Sequence, residues 1–474
     1  MIVPSKDLPV VVIGAGPVGL AAAAHLADRG VDFVVLESGP SAAAAIEEWR
    51  HVRLFSPWRY GVDSAARRLL DEAGWTEPDP DMLPTGGDLI DQYLAPLVKT
   101  PQLADRIQYG AEVVAVTRAG FDRIRTAGRD DAPFLIRLAD GEELTASAVV
   151  DAAGTWRKPN VLGGSGIPAR GETDAADAVA HALPDVLGRD RARFAGRRTA
   201  VVGAGHSAST TLLDLGELAE QEPGTEIVWV VRGSSQERTY GGGEADELPA
   251  RGALGERVKK LVQSGRVELV GGFRTEGITR TADGRVQLVA GEQAVVADTV
   301  VNSTGFRPDH GVVAELRLDL DPILGSTRAL APLIDPNKHS CGTVPPHGVD
   351  ELAHPEQGYY AIGAKSYGRA PTFLLATGYE QARSVVAALA GDWEAARDVQ
   401  LDLPETGVCS SSLAFPGEEA TASSGCCGPA PQATAGNSAA EPARATSRGL
   451  ATGIGGGLLT VLDPPKVTQS GCCS

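Results

Sequence analysis

The chain has 474 residues, 43% of them hydrophobic, which is enough for a sizeable core and for about three domains by length. A formal net charge of −18 excludes the positive footprint that binding to nucleic acid or to an anionic membrane surface requires. No run of about 18 apolar residues is present, so no membrane-spanning helix is expected. The first nine residues carry no apolar segment ahead of a small-residue cleavage site, which predicts a cytoplasmic protein.

Val10–Ile13 is a short apolar run of the kind that forms a buried parallel strand. Gly14, Ala15, Gly16, Pro17 and Gly19 then follow in a G-x-G-x-x-G pattern. Gly14 permits a tight turn, Gly16 admits a pyrophosphate against the backbone, and Gly19 lets the next helix lie close to the strand. Proline at the start and Gly30 just past the end predict a helix from Pro17 to about Arg29. Its amino-terminal amides and dipole would face the phosphates. Asp32–Leu36 reads as the second strand, closed by Glu37, 23 residues after Gly14. A carboxylate there can accept both hydroxyls of a ribose. A tight βα turn without a ligand is the bland alternative for the glycines alone, but strand, glycines, helix, strand and acid occur here in order.

Ala148-Val-Val-Asp-Ala-Ala-Gly-Thr-Trp156 is a strand running into a small-residue turn at Gly154. The glycine motif then recurs as Arg198-Thr-Ala-Val-Val-Gly-Ala-Gly-His-Ser-Ala208. Gly203 and Gly205 repeat the first two roles, Ala208 takes the close-packing place, and Ser207 can offer its hydroxyl to a phosphate. A helix to about Gln221 and a strand over Glu226–Val231 follow, and the strand ends in Arg232. An arginine there neutralises a 2′-phosphate that a carboxylate would repel, which favours NADP over NAD; a merely solvated side chain is the other reading. Asp298-Thr-Val-Val-Asn-Ser-Thr-Gly-Phe-Arg-Pro-Asp309, with its turn at Gly305, repeats the first crossover. The predicted fold is α/β, with two Rossmann-like dinucleotide-binding domains, the second inserted in the first. The expected boundaries are an FAD-binding part over 1–158, an NADP-binding domain over 159–303 and a second FAD-binding part over 304–400. Beyond them a disordered, cysteine-containing tail is expected over 401–474, where Phe415 is the only aromatic residue and Ala, Ser, Gly, Thr and Pro dominate.

Cys341 stands in a Gly/Pro-rich loop, as a small buried residue or as a substrate-facing thiol, and is the candidate catalytic residue. The other cysteines, Cys409, Cys426, Cys427, Cys472 and Cys473, lie in the tail, and no Cys-x-x-Cys occurs. Thiols rather than disulfides are expected, and no resident metal site. Leu403–Gly407 has the form of a sortase signal without the apolar span and basic tail that anchoring needs.

The two glycine motifs, the two crossovers and the late Gly363-Ala364 segment resemble the two-dinucleotide-binding-domain flavoproteins, specifically flavin-containing monooxygenases. Glu48-Trp-Arg-His-Val-Arg-Leu-Phe-Ser-Pro-Trp58, His339-Ser-Cys-Gly-Thr-Val344 and the Cys-Cys tail look like the flavin-binding monooxygenases of bacterial arsenic-resistance operons. The resemblance implies FAD at Gly14, Gly16, Gly19 and Glu37, with Trp49, Arg53 and Ser56 on the flavin side of a cleft; core packing is the alternative for Trp49 and Trp58. It implies a strand over Gln108–Val116 that brings the Val113 backbone to the adenine, and a strand from Tyr359 that ends near the ribityl chain at Gly363. A helix over Thr372–Ala382 would point its amino terminus at the flavin. Relatives carry Gly-Asp where this chain has Gly363-Ala364, so one ribityl contact is missing, and the Phe-x-Gly-x-x-x-His run of the monooxygenases is absent although His181 lies in that region.

These readings predict an NADPH-dependent FAD oxidoreductase that oxygenates a small molecule, an arsenical being the candidate. An NADPH-dependent disulfide or metalloid reductase is the second reading, disfavoured by the missing Cys-x-x-Cys. A non-catalytic, flavin-holding metalloid binder or redox sensor is the third. The pairs Cys426–Cys427 and Cys472–Cys473 offer soft ligands for a trivalent arsenical, unless they are incidental to a biased tail. A homodimer is the expected assembly.

Overall fold

The computed structural model describes residues 8–234, 240, 249–336, 344–371 and 373–400. The predicted tail, with its cysteine pairs, and Cys341 lie outside the described residues.

The first lobe is built on β1 (Val10–Ile13), β2 (Phe33–Glu37) and β3 (Ile107–Tyr109), followed by a hairpin sheet of β4 (Val113–Arg118), β5 (Phe134–Leu138) and β6 (Glu143–Ala146), and then by β7 (Ala148–Asp151). The second lobe contains β8 (Val179–Ala180), β9 (Arg198–Val202), β10 (Glu226–Val230), β11 (Val267–Val270), β12 (Gly277–Arg280), β13 (Val286–Ala290), β14 (Gln293–Ala297) and β15 (Thr299–Asn302). The chain then returns to the first lobe with β16 (Tyr359–Ala361). Two five-stranded parallel sheets result, ordered β16-β7-β1-β2-β3 and β11-β10-β9-β15-β8, beside two antiparallel three-stranded sheets, β4-β5-β6 and β12-β13-β14.

Both parallel sheets are covered on both faces, which is why their central strands carry continuous apolar runs, Val10–Ile13 in β1 and Ala200–Val202 in β9, rather than alternating, while β3 at one edge is largely exposed. In the first lobe Val10 and Val12 pack under the Pro17–Asp28 and Leu375–Leu389 helices, whereas Val11 and Ile13 face the β4-β5-β6 sheet through Phe134 and Ile136. In the second lobe Val201 and Trp229 meet the helices His206–Gln221 and Pro249–Gln263, and Ala200 and Val228 meet β12-β13-β14. The α/β class with two glycine-loop lobes follows the sequence pattern.

Three segments differ in detail from the sequence expectation. The strand expected over Gln108–Val116 is two strands in different sheets, because Gly110 takes a φ of +69° and turns the chain. The late helix spans Leu375–Leu389 rather than Thr372–Ala382: Leu374 is still extended, and the apolar run Val385–Val386 carries the helix onward; Thr372 lies outside the described residues. The second lobe's β10 stops at Val230, one residue earlier than read from the sequence.

Candidate functional site

At the carboxyl end of β1 the chain must turn sharply into a helix. Gly14 does so at φ +98°, where an added Cβ would lie 2.9 Å from the Ala152 carbonyl oxygen. Gly19 has no room at all: its Cβ would fall 1.9 Å from the Gly14 carbonyl oxygen. Gly16 is different, because nothing lies within 4 Å of its missing side chain. The loop is therefore tight on the protein side and open on the other, which is the shape of a cradle for a phosphate. The helix Pro17–Asp28 begins at Gly16 with no side-chain cap, leaving its first-turn amides for an anion. Glu37 is buried and fixed. One carboxylate oxygen accepts from the Ala15 amide at 2.8 Å, and the other from the Gly39 amide at 2.7 Å. The Ser38 hydroxyl also donates to Glu37 at 3.4 Å; with about four lone-pair sites on an ionised carboxylate, capacity for a further hydroxyl remains, and for a second if Ser38 turns away.

The second loop repeats the device at the end of β9. Gly203 sits at φ +137°, and a Cβ there would be 2.1 Å from the Ser303 carbonyl oxygen. Gly205 opens onto free space, the helix His206–Gln221 is uncapped, and Ala208 is fully buried in the close-packing place. Ser207 is half-buried in the first turn. Ser303 leaves its buried hydroxyl without a partner among the described residues, beside this loop. Arg232 is exposed and makes no ion pair among the described residues.

The two crossovers are laced together. Pro159 bridges Phe306, the Asn160 amide donates to the Gly305 carbonyl at 2.8 Å, and the Arg307 amide donates to the Lys158 carbonyl at 3.0 Å. Gly154 turns at φ +68° and Gly305 at φ +93°. This connection carries an aromatic cluster. Trp156 lies 4.4 Å from His181, 5.1 Å from Phe306 and 6.3 Å from Trp49, and its indole N–H donates to Glu48 at 2.8 Å. A second ring contact joins the lobes, Phe55 against His206 at 5.0 Å. Beside it, His51 lines a cavity of about 310 Å³ together with Glu47, Glu48, Arg50, Asp185 and Arg189. Burial, only partly offset by Asp185, lowers the pKa of His51 and keeps it neutral.

The structure gathers some of the sequence-selected residues and not others. Gly14, Ala15, Gly16, Pro17, Gly19 and Glu37 come together at the carboxyl ends of β1 and β2, and Gly203, Gly205, Ser207, Ala208 and Arg232 at those of β9 and β10. Trp49 joins the interlobe cluster, while Trp58 is buried core. Ser56 is half-buried near Phe55 in sequence. Arg53 is exposed and its guanidinium donates to the Leu83 carbonyl at 2.6 Å, tying its loop to the segment before Thr85. Val113 opens β4 just after Ala111, whose amide donates to the Glu37 carbonyl at 2.8 Å. Gly363 turns at φ +71° with its missing Cβ 3.4 Å from the Val18 side chain, so the Gly363-Ala364 turn abuts the glycine-loop helix. The Gly363 amide is committed to Gln381 Oε1 at 2.8 Å.

Sequence reasoning missed Lys365, one residue further on. Its ammonium donates to Asp151 at 2.6 Å, and Tyr359 donates its hydroxyl to the same oxygen at 3.0 Å. It also missed His347, whose Nε2 accepts from Gln381 at 3.1 Å, and burial lowers the pKa of that imidazole. The signal available for Lys365 was an acid ending the apolar strand Ala148–Asp151, which demands a buried counter-charge.

A family model described as pyridine nucleotide-disulphide oxidoreductase matches residues 11–340. Indole-3-pyruvate monooxygenase YUCCA1 of Oryza sativa subsp. japonica is 34% identical over 212 residues, covering 43% of this chain and 44% of that protein, so the match spans less than half of its length. Bacillithiol disulfide reductase of Bacillus cereus superposes with a TM-score of 0.59 at 19% identity, over 81% of this chain and 99% of that one. An FAD-bound cadaverine monooxygenase of Erwinia amylovora gives 0.58 at 13% identity over 87% and 99%. A mutant flavin monooxygenase of Stenotrophomonas maltophilia gives 0.51 at 21% over 81% and 98%. These structures establish a shared fold.

Proposed function

The chain belongs to the pyridine nucleotide-disulphide oxidoreductase family, and from that membership we propose an NADPH-dependent FAD oxidoreductase of the flavin-monooxygenase kind acting on a small molecule. The observation that carries this reading is the pairing of two phosphate cradles, one followed by the buried acid Glu37 and the other by the exposed Arg232. When bound, the nicotinamide supplies a hydride and the flavin accepts it and passes the electrons on. The chain's own residues hold and orient. Gly14, Gly16 and Gly19 seat the FAD pyrophosphate on the first helix terminus, and Glu37 receives the ribose. Val113 would flank the adenine, and Gly363 and Ala364 would flank the ribityl chain. Gly203, Gly205, Ser207 and Ala208 seat NADPH, and Arg232 neutralises its 2′-phosphate. Trp49, Trp156 and Phe306, between Gly154 and Gly305, exclude water where the two nucleotides meet.

Oxygenation rather than disulfide reduction is supported by the 34% identity to a monooxygenase over 212 residues and by a sequence without Cys-x-x-Cys. The resemblance to arsenic-operon monooxygenases supports an arsenical substrate, handled in the cytoplasm by a homodimer. The test is NADPH oxidation by the purified yellow protein, with and without arsenite, in air and under nitrogen. Arsenite-stimulated turnover that consumes oxygen is expected. Oxygen-independent reduction of a disulfide would replace oxygenase with reductase, and turnover no faster than that of free flavin would leave only a flavin-holding protein.

A further inference from the structure

We propose that the buried pair Lys365–Asp151 is a charge-balancing positioning element for the dinucleotide at the first glycine loop. It rests on the reading that FAD occupies that loop. Asp151 is the last residue of β7. It pairs in register with Ile13 of β1, immediately before Gly14, and with Ala361 of β16, immediately before the Gly363 turn. Its carbonyl accepts from the Ile362 amide at 2.9 Å, and one carboxylate oxygen accepts from the Ala153 amide at 3.2 Å. The acid therefore touches the crossover and the turn, and it directly adjoins the glycine loop. These are the three segments that converge on the cradle.

Asp151 is 0% exposed and Lys365 2%, so neither charge is screened by solvent. The other groups facing the pair carry no net charge into it. Tyr359 donates a hydrogen bond to Asp151, and burial together with the Asp151 charge holds its hydroxyl protonated. His310 donates Nε2–H to the Gly325 carbonyl at 2.9 Å, and burial keeps that imidazole neutral. Asp309 is paired with Lys158 at 3.1 Å. Lys365 is thus the counter-ion that cancels Asp151.

A pyrophosphate is negative, and a flavin ring takes on negative charge when it is reduced. A lone buried carboxylate one residue from their cradle would repel them, and a lone buried ammonium would attract them, because such interactions are weakly screened in the interior. A pair that serves only as a structural clamp would fail in the same way whichever half is removed. A charge-balancing pair predicts opposite signs.

The test measures FAD dissociation and the midpoint potential of bound flavin in the full-length holoprotein. Lys365→Met should weaken FAD binding roughly tenfold and lower the potential. Asp151→Asn should tighten FAD binding severalfold and raise the potential. The double variant should return both quantities to within about twofold of the parent protein, since no net charge is left to act. If both single variants shift in the same direction, or if the double variant is no better than the worse single, the pair is a clamp and the proposal is overturned. Should Lys365→Met not fold, Asp151→Asn decides alone: a raised potential supports the balance, and an unmoved or lowered one overturns it. Parent protein that binds no FAD overturns the underlying reading instead, whereas bound FAD with unmoved variants overturns only this proposal.

Discussion

At the first glycine loop an added methyl on Gly19 would overlap the Gly14 carbonyl at 1.9 Å; at the second, the same place is filled by Ala208, whose methyl is fully buried without conflict. The first acid, Glu37, is buried and holds two backbone amides, whereas the second loop's Arg232 stands exposed with no ion pair among the described residues. One backbone device has thus been set to two purposes. A loop closed from below and pinned by its acid suits a nucleotide that stays. A loop with one more methyl in the close-packing place, followed by an exposed arginine with no ion pair among the described residues, suits a nucleotide that exchanges. Burial lowers the pKa of three first-lobe histidines, His310, His347 and His354, while His181 and His206 of the second lobe are exposed; there it is a carboxyl, Asp214, that burial shifts, up to about 7.

The largest test of this contrast is Gly19→Ala, which forces the helix off the strand. It should cost about 3 kcal/mol of stability and yield FAD-free protein, read by thermal melting and the visible spectrum; an unchanged melt with flavin retained would remove the distinction. Gly16→Val separates binding from folding, because nothing lies within 4 Å of that position. It should leave the melt of the FAD-free protein unchanged and abolish FAD binding, and Gly205→Val should leave the melt measured without NADPH unchanged and abolish NADPH binding. Acid should find the first lobe next. Burial, reinforced by the neighbouring His310, lowers His354 from 6.5 to about 4. Its contribution is fully present above pH 6.5 and is lost as the pH falls towards 4, a loss of roughly 3 kcal/mol. Hydrogen exchange at pH 4.5 should therefore open β16 and its neighbours before β9 and β10, and equal opening would contradict the division. Smaller is Arg232→Ala, expected to raise the KM for NADPH about tenfold, or about 1.4 kcal/mol, with NADH almost unmoved. Smallest is Ala208→Gly, which should lower the melt by the about 1 kcal/mol that a helical glycine costs, with both cofactors still bound.

The features legible in the sequence are those in which a backbone constraint selects a residue type. Gly14 and Gly203 must turn where a side chain cannot, and the apolar runs of β1 and β9 announce strands buried on both faces. Of the two antiparallel sheets only part of β4 is legible, within Gln108–Val116; β6 and β12 mix exposed and buried positions without alternation, although β5 does alternate. Gln108–Val116 reads as one strand because a single glycine within an apolar-flanked segment does not by itself mark a turn; Gly110 turns there at φ +69°, held by its amide to the Gly39 carbonyl and by the Ala111 amide to the Glu37 carbonyl. The interlobe aromatic cluster and the Lys365–Asp151 pair join residues far apart in the chain, 214 positions in the latter case, and no local pattern signals such partners. The Arg118–Glu356–Arg129 clamp is of the same kind. Burial would raise Glu356, but bonds from Arg118, the Arg317 amide and Arg129 outweigh it and leave its carboxyl below the usual range.

Anaerobic addition of NADPH to the purified protein tests the central claim most directly. The account predicts a yellow preparation whose FAD bleaches with NADPH and does so far more slowly with NADH. Colourless protein that takes up no added FAD, or bound FAD that NADPH cannot bleach without air, would contradict it.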